Sequence, residues 1–165
     1  MTRQLLRVPA SDAMETPISG FQKLPRVESS LSSLSAKALA SLAGAYDKLR
    51  VRPAAPRLRA DSIVPVHFGP TGAAKILFAL RPNCCPPWDT PKRKHLQWDG
   101  GEISYCRFLQ TVEAEVRDLI KDAEYGIDAK DIPTRVGRPH SSLPKLVDEY
   151  YWITITKRES AVKTI

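Results

Sequence analysis

Between residues 103 and 124, Tyr105, Phe108, Leu109, Val112, Val116, Leu119 and Ile120 recur at steps of three and four, while Glu113, Glu115, Arg117, Asp118, Lys121 and Asp122 take the positions between them. That period puts the apolar side chains on one stripe of a long α-helix and the charges on the other face. An isolated helix gains little in water, so the stripe must be covered by other elements. The chain therefore has to fold around this segment, and at 165 residues it is long enough to do so as one compact domain.

Other elements that would cover it are legible on the same grounds. Leu31, Leu34, Ala38, Leu39, Leu42, Ala45, Tyr46 and Leu49 repeat with helical spacing, which predicts a helix over residues 35–50 with serines at its start. After Gly69-Pro70, residues 71–80 are apolar nearly all round and predict a central helix, capped by Thr71 or a neighbour and stopped near Pro82. The sequence RPNCCPPWD is a turn, because its prolines exclude a regular helix or a central strand. TPKRKHLQWDGG has room for one short helical turn before its Asp-Gly-Gly stop. Residues 125–142 read as a loop, and SSLPKLVDEYYW as a serine-capped helix with proline in its first turn. WITITK alternates like a short strand, yet it equally suits a helix end with an extended tail. VRPAAPRLRADSIVPVHFGP, with four prolines and three arginines, reads as a stiff, positive connection. Residues 1–28 lack periodicity and read as a poorly structured arm, leaving residues 29–165 as a single helical domain.

The net charge of +7 and a pI near 9.5 favour a polyanionic partner, of which nucleic acid is the commonest. The charge is uneven: residues 1–60 hold ten Lys and Arg against four Asp and Glu, whereas residues 111–131 are mainly acidic. No apolar run approaches the ~20 residues that span a bilayer, and MTRQLLRVPASDAM has no continuous signal-peptide core, so no membrane partner and a cytoplasmic location are expected. Three cysteines, Cys84, Cys85 and Cys106, with two adjacent, suit reduced thiols better than a disulfide framework.

The segment HFGPTGAAKILFALRPNCCPPWDTPKRK, residues 67–94, orders a Gly-Pro turn, an apolar helix, a proline-rich turn, an aspartate and a basic cluster. In this order it resembles the helix-hairpin-helix DNA glycosylase superfamily, over about 28 of the 165 residues. The elements read along the chain make the fold mainly α, and the resemblance implies a small orthogonal helical bundle with a helix-hairpin-helix-like element. It implies that Gly69 and Gly72 let the backbone approach a DNA phosphate, an anion site of the kind exposed amides provide. It also implies that Asp89 is the catalytic carboxylate, beside a flipped nucleotide, stabilising the cationic sugar as the base departs or orienting a water. Where bifunctional members carry a nucleophilic lysine this chain has Thr71, with Lys75 about one turn further on, so a Schiff-base lyase is disfavoured. His67 stands where the family hairpin usually has a second glycine, and Pro91 follows Asp89-Thr90. The four-cysteine iron–sulfur loop of some relatives is missing, and no cofactor is expected.

Each of these residues also has an ordinary structural reading. Asp-Thr-Pro is a common helix start, so Asp89 caps a helix whether or not it does chemistry. Trp88 would stack on a base or anchor the core. Arg81, Lys92, Arg93 and Lys94, together with Arg50, Arg52, Arg57 and Arg59, would neutralise phosphates along one surface, or simply be solvated. Cys84, Cys85, His95 and Cys106 match no zinc spacing, so no metal is expected. His140 with Asp148 or Glu149 has the makings of an acid–base pair, but no recognisable nucleophile accompanies it. The aromatics of LVDEYYW suit a core face or a binding surface. The expected function is nucleic-acid binding, to duplex DNA, through Gly69, Thr71, Gly72, Lys75, Arg81, Trp88, Lys92, Arg93 and Lys94, with Asp89 as catalytic residue of a monofunctional or degenerate glycosylase. The alternative is a non-enzymatic protein–protein interaction domain whose basic surface meets an acidic protein.

Overall fold

The computed structural model describes residues 24–59, 62–123 and 127–157. A single 3₁₀ turn (Leu31–Ser33) precedes α1 (Ala36–Arg50), which is followed by strands β1 (Pro53–Arg59) and β2 (Ser62–His67). Then come α2 (Gly69–Leu80), α3 (Thr90–His95), α4 (Glu102–Asp122), α5 (Ile132–Arg135) and α6 (Leu143–Tyr151), with a π-helical turn (Trp152–Lys157) continuing α6. Helices α1 and α2 pack together, and α1 and α6 both lie against α4. The stripe of α4 supplies Tyr105, Phe108, Leu109, Val112 and Val116 to the core.

The fold is mostly α, but it is not the all-helical bundle expected. The segment read as a connection forms an antiparallel ribbon, with Ala55 opposite Val66, Pro56 opposite Pro65, Arg57 opposite Val64, Leu58 opposite Ile63 and Arg59 opposite Ser62. Prolines are tolerated because they sit opposite each other: an antiparallel pair alternates hydrogen-bonded and non-hydrogen-bonded positions, and the latter need no N–H. The second correction follows from the first. Gly69 is preceded by β2 rather than by a helix, so no helix-hairpin-helix is built around it. Thirdly, WITITK is no strand; it carries the helix on with wider turns, buries Ile155, and the Thr154 hydroxyl donates to the Tyr150 carbonyl at 2.8 Å. A lone strand would have left its backbone groups unpaired.

The proline-rich turn is central rather than peripheral. Cys84, Cys85 and Trp88 are all buried in the core. Trp88 stacks on Phe108 at 5.4 Å between ring centroids and packs edgewise on Trp98, while Tyr46 stacks on Tyr105 at 3.9 Å. The turn also ties the two ends of the domain. The Leu31 amide donates to the Asn83 carbonyl at 2.9 Å, the Cys84 thiol to the Ser29 carbonyl, and the Ser142 hydroxyl to the Pro82 carbonyl at 2.7 Å. Of the arm expected over residues 1–28, residues 1–23 lie outside the described residues, whereas Leu24 packs on the core and Arg81 donates to the Pro25 carbonyl.

Candidate functional site

Asp89 ends the proline-rich turn and starts α3. Its backbone is extended, and its Oδ1 accepts from the Lys92 amide at 3.2 Å, so it is the N-cap that the Asp-Thr-Pro sequence predicts. Oδ2 is 3.7 Å from the Lys92 ammonium, and the carboxylate keeps about a third of its surface open. That surface faces a cleft of about 620 Å³ lined by residues of α2, the proline-rich turn, α3 and α6 with its π-helical extension, together with Arg138.

The floor of the cleft is an ion cluster. Lys92 is almost wholly buried, because α3 turns it inward, and its ammonium donates to Asp148 Oδ1 and to the Pro87 carbonyl at 3.1 Å. Asp148 in turn takes Lys145 on Oδ2. On the rim, Arg138 pairs with Glu149 at 3.3 Å. These pairings commit most of the charges to one another. Lys75 is exposed on α2 and has no ion-pair partner among the described residues, so Asp89 and Lys75 are the charges that face the cleft least encumbered. Phe78, Trp152 and Ile153 supply apolar wall, and Trp152 is nearly half exposed there.

The expected binding residues divide accordingly. Asp89, Thr71, Lys75, Trp88 and Lys92 all border the cleft. Two of these are supports: Trp88 is held in the core by its ring contacts, and Lys92 by its carboxylates. Arg93 is a brace, since its guanidinium donates to Thr71 Oγ1 at 3.2 Å, to the Trp88 carbonyl at 3.0 Å and to Thr90 Oγ1 at 2.8 Å, lying 5.5 Å over the Trp88 ring. Burial lowers the basicity of this guanidinium, partly offset by the charges of Tyr46 and Asp89. Arg81 is likewise spent on the Pro25 and Leu80 carbonyls. Lys94 is exposed on the outer side of α3.

Thr71 does not cap α2; that helix starts at Gly69 with no side-chain cap, and Thr71 serves Arg93 instead. Gly69 has a φ of 67°, which its lack of a side chain permits, and a Cβ there would meet open space. Gly72 packs against Phe68.

Several cleft residues escaped the sequence reading. Asp148 and Glu149 do not join His140, which is exposed, and serve Lys92, Lys145 and Arg138 instead. A signal for Asp148 existed: Pro144, Val147, Asp148 and Tyr151 are the buried positions of α6, so an acid stands on the apolar stripe and requires a buried cation. Cys84 and Cys85 are core thiols, and among the described residues no three His, Cys, Asp or Glu side chains gather as a metal site would need. No helix among them is long and apolar enough to cross a membrane. No family model matches the chain, and neither a curated protein nor a solved structure shows significant similarity to it.

Proposed function

We propose that the chain is a nucleic-acid-binding domain of DNA-glycosylase type, and that the cleft beside Asp89 receives a nucleotide turned out of a duplex. The observation that carries this reading is the Asp89 carboxylate, about a third open, on a cleft with aromatic and aliphatic walls and the exposed cation of Lys75. A volume of about 620 Å³ lies within the range of small-ligand pockets. Phe78 and Trp152 offer ring surface for a base, and Asp89 offers a fixed negative charge for a sugar that becomes cationic as its base leaves. With Thr71 where bifunctional members of the family carry their lysine, and Lys75 about one helical turn further on, the reading favours monofunctional hydrolysis. The net charge of +7 and reduced, buried thiols suit a cytoplasmic protein that meets a polyanion.

The test is binding of the purified protein to a short duplex carrying an abasic-site analogue, against the undamaged duplex, across a salt series. Salt-sensitive binding that prefers the abasic site is expected, and Asp89→Asn then separates a hydrolase from a derivative that only binds. Equal affinity for the two duplexes overturns the cleft's role. A second reading, a domain that docks an acidic protein, is favoured by the exposed Trp152 and Ile153, which border the cleft with Arg138 and Lys145. Absence of duplex binding even at low salt would leave that reading standing.

A further inference from the structure

The side walls of the cleft come from helices that are anchored in different places, since α2 packs on α1 and α6 on α4. On α2 the bordering residues are Thr71, Lys75 and Phe78, at positions i, i+4 and i+7, which share one face of a helix. On α6 and its π-helical extension they include Lys145, Glu149 and Trp152 at the same spacing. Each wall therefore presents an aromatic ring about one turn beyond a charged side chain. The second wall ends in a further cation: the exposed Lys157 ammonium lies 4.9 Å from the centroid of the Trp152 ring. Ile155, buried two residues earlier, anchors the turn that carries it.

The cations around the cleft differ in what they can offer a polyanion. Lys92 and Lys145 share Asp148, Lys92 also lies 3.7 Å from Asp89, and Arg138 is paired with Glu149. A paired cation that turns to a phosphate uncovers the carboxylate it leaves, and that carboxylate then repels the same phosphate. Such an exchange adds little attraction. A lysine with no acidic partner brings its whole charge. Among the described residues Lys75 and Lys157 are the cations at the cleft without an ion-pair partner, one on each wall. Lys94, which is exposed on the outer side of α3, does not border the cleft.

We infer that Lys75 and Lys157 neutralise the two phosphates that flank the nucleotide received by the cleft, one from each wall. The inference rests on the cleft reading above and adds the side chains that grip the strand there. A nucleotide turned out of a duplex stays joined to its strand on both sides, so a phosphate precedes it and another follows it at the mouth of the pocket. A lysine ammonium is a compact charge on a flexible stem and can follow a phosphate without a fixed approach angle. Lys157 now rests on the Trp152 ring, and its move to a phosphate uncovers a ring face on which a base can stack. Phosphate contact thus passes from Arg81, Lys92 and Arg93, whose donors are spent inside the fold, to two lysines that are free to give it.

The experiment uses the full chain and two short duplexes, one carrying an abasic-site analogue and one undamaged, with affinity followed by fluorescence anisotropy across a salt series. Lys75→Gln, Lys157→Gln and the double variant are compared with the parent, and Lys75→Arg and Lys157→Arg test rescue by charge alone. Both lysines are exposed, and circular dichroism verifies that the variants fold. On the abasic duplex each glutamine variant is expected to reduce the slope of log K against log salt by about 0.9, and the double variant by about 1.8. Raising salt from about 50 to about 200 mM then costs a single variant about 3.5-fold less affinity than it costs the parent. The arginine variants are expected to keep the parent slope, and the undamaged duplex to show a smaller change.

A parent that prefers the abasic duplex while either glutamine variant keeps the parent slope overturns the inference and leaves the cleft reading standing. Equal loss of slope on the two duplexes also overturns it, because lysines of that kind bind phosphate without regard to a nucleotide in the cleft. Arginine variants that lose slope as the glutamine variants do would show that charge is not the cause, and would overturn it as well. A parent that binds both duplexes equally sinks the cleft reading, and the inference that rests on it falls too.

Discussion

Lys92 and Asp148, 56 residues apart in the chain, form an ion pair with 2% and 6% of their side-chain surfaces exposed. The pair joins the short helix that Asp89 caps to α6, and so sets the distance between the carboxylate and the wall that carries Trp152. Removing one partner strands a buried charge, which typically costs about 3–5 kcal/mol. Asp148→Ala is therefore expected to destabilise the protein by about 3 kcal/mol or more, read as a lower urea midpoint. The double variant Lys92→Met with Asp148→Leu should recover most of that loss, since an apolar pair of similar volume needs no compensation. A double variant no more stable than Asp148→Ala would mean the pair is not the source of the effect.

Capping by Asp89 and the chemistry proposed for it are separable. Asn is as good an N-cap as Asp, so Asp89→Asn should change stability by only a few tenths of a kcal/mol, whereas Asp89→Ala should cost ~1 kcal/mol. Chemical denaturation of the two variants checks this. An Asn variant that loses as much stability as the Ala variant would assign the carboxylate to the fold alone.

Gly100 is strained for any other residue. Its φ is 88°, its carbonyl accepts the Tyr46 hydroxyl at 2.7 Å, and a Cβ would lie 3.1 Å from Pro70 Cγ and 3.2 Å from Arg93 Cδ. Gly100→Ala should lower stability by about 1–3 kcal/mol and shift the melting temperature downward. Gly69→Ala shares the positive φ but meets no neighbouring atom, so its loss should be the smaller of the two.

Thiol reactivity should report the position of the proline-rich turn. Cys84 and Cys85 are buried and Cys106 partly open, so a disulfide-exchange reagent should reach Cys106 first and the other two only on unfolding. Burial pushes the Cys84 thiol from 9.0 up to about 11, with Arg81 acting the other way. A raised value in the fold means that the unfolded chain ionises first. Its stabilising contribution is thus complete below about pH 9 and is lost as pH rises through about 11. Cys85 and Tyr105 are raised by burial too and steepen the same loss. Urea midpoints measured across that interval should fall, and Cys84→Ala should flatten the fall.

Local patterns placed α1, α3, α4 and α6, whereas α5 lies in the segment read as a loop and Thr71 does not cap α2. The three- and four-residue spacing of α4, the Ser35 and Ser142 caps, the Asp89 cap and the proline stops are properties of neighbours along the chain, and each is found where the residues place it. The ribbon was hidden because proline is read locally as a strand breaker, whereas Pro56 and Pro65 become harmless only when each faces the other across the ladder. Asp89 as a helix cap was legible as well. Its surroundings were not: Lys92 meeting Asp148, Arg93 bracing Thr71, and Trp152 closing the cleft all join segments far apart in sequence. Helix periods and caps are set by interactions within a turn or two of chain, while burial of a charge, pairing of strands and closure of a cleft depend on which distant segments the packed core brings together.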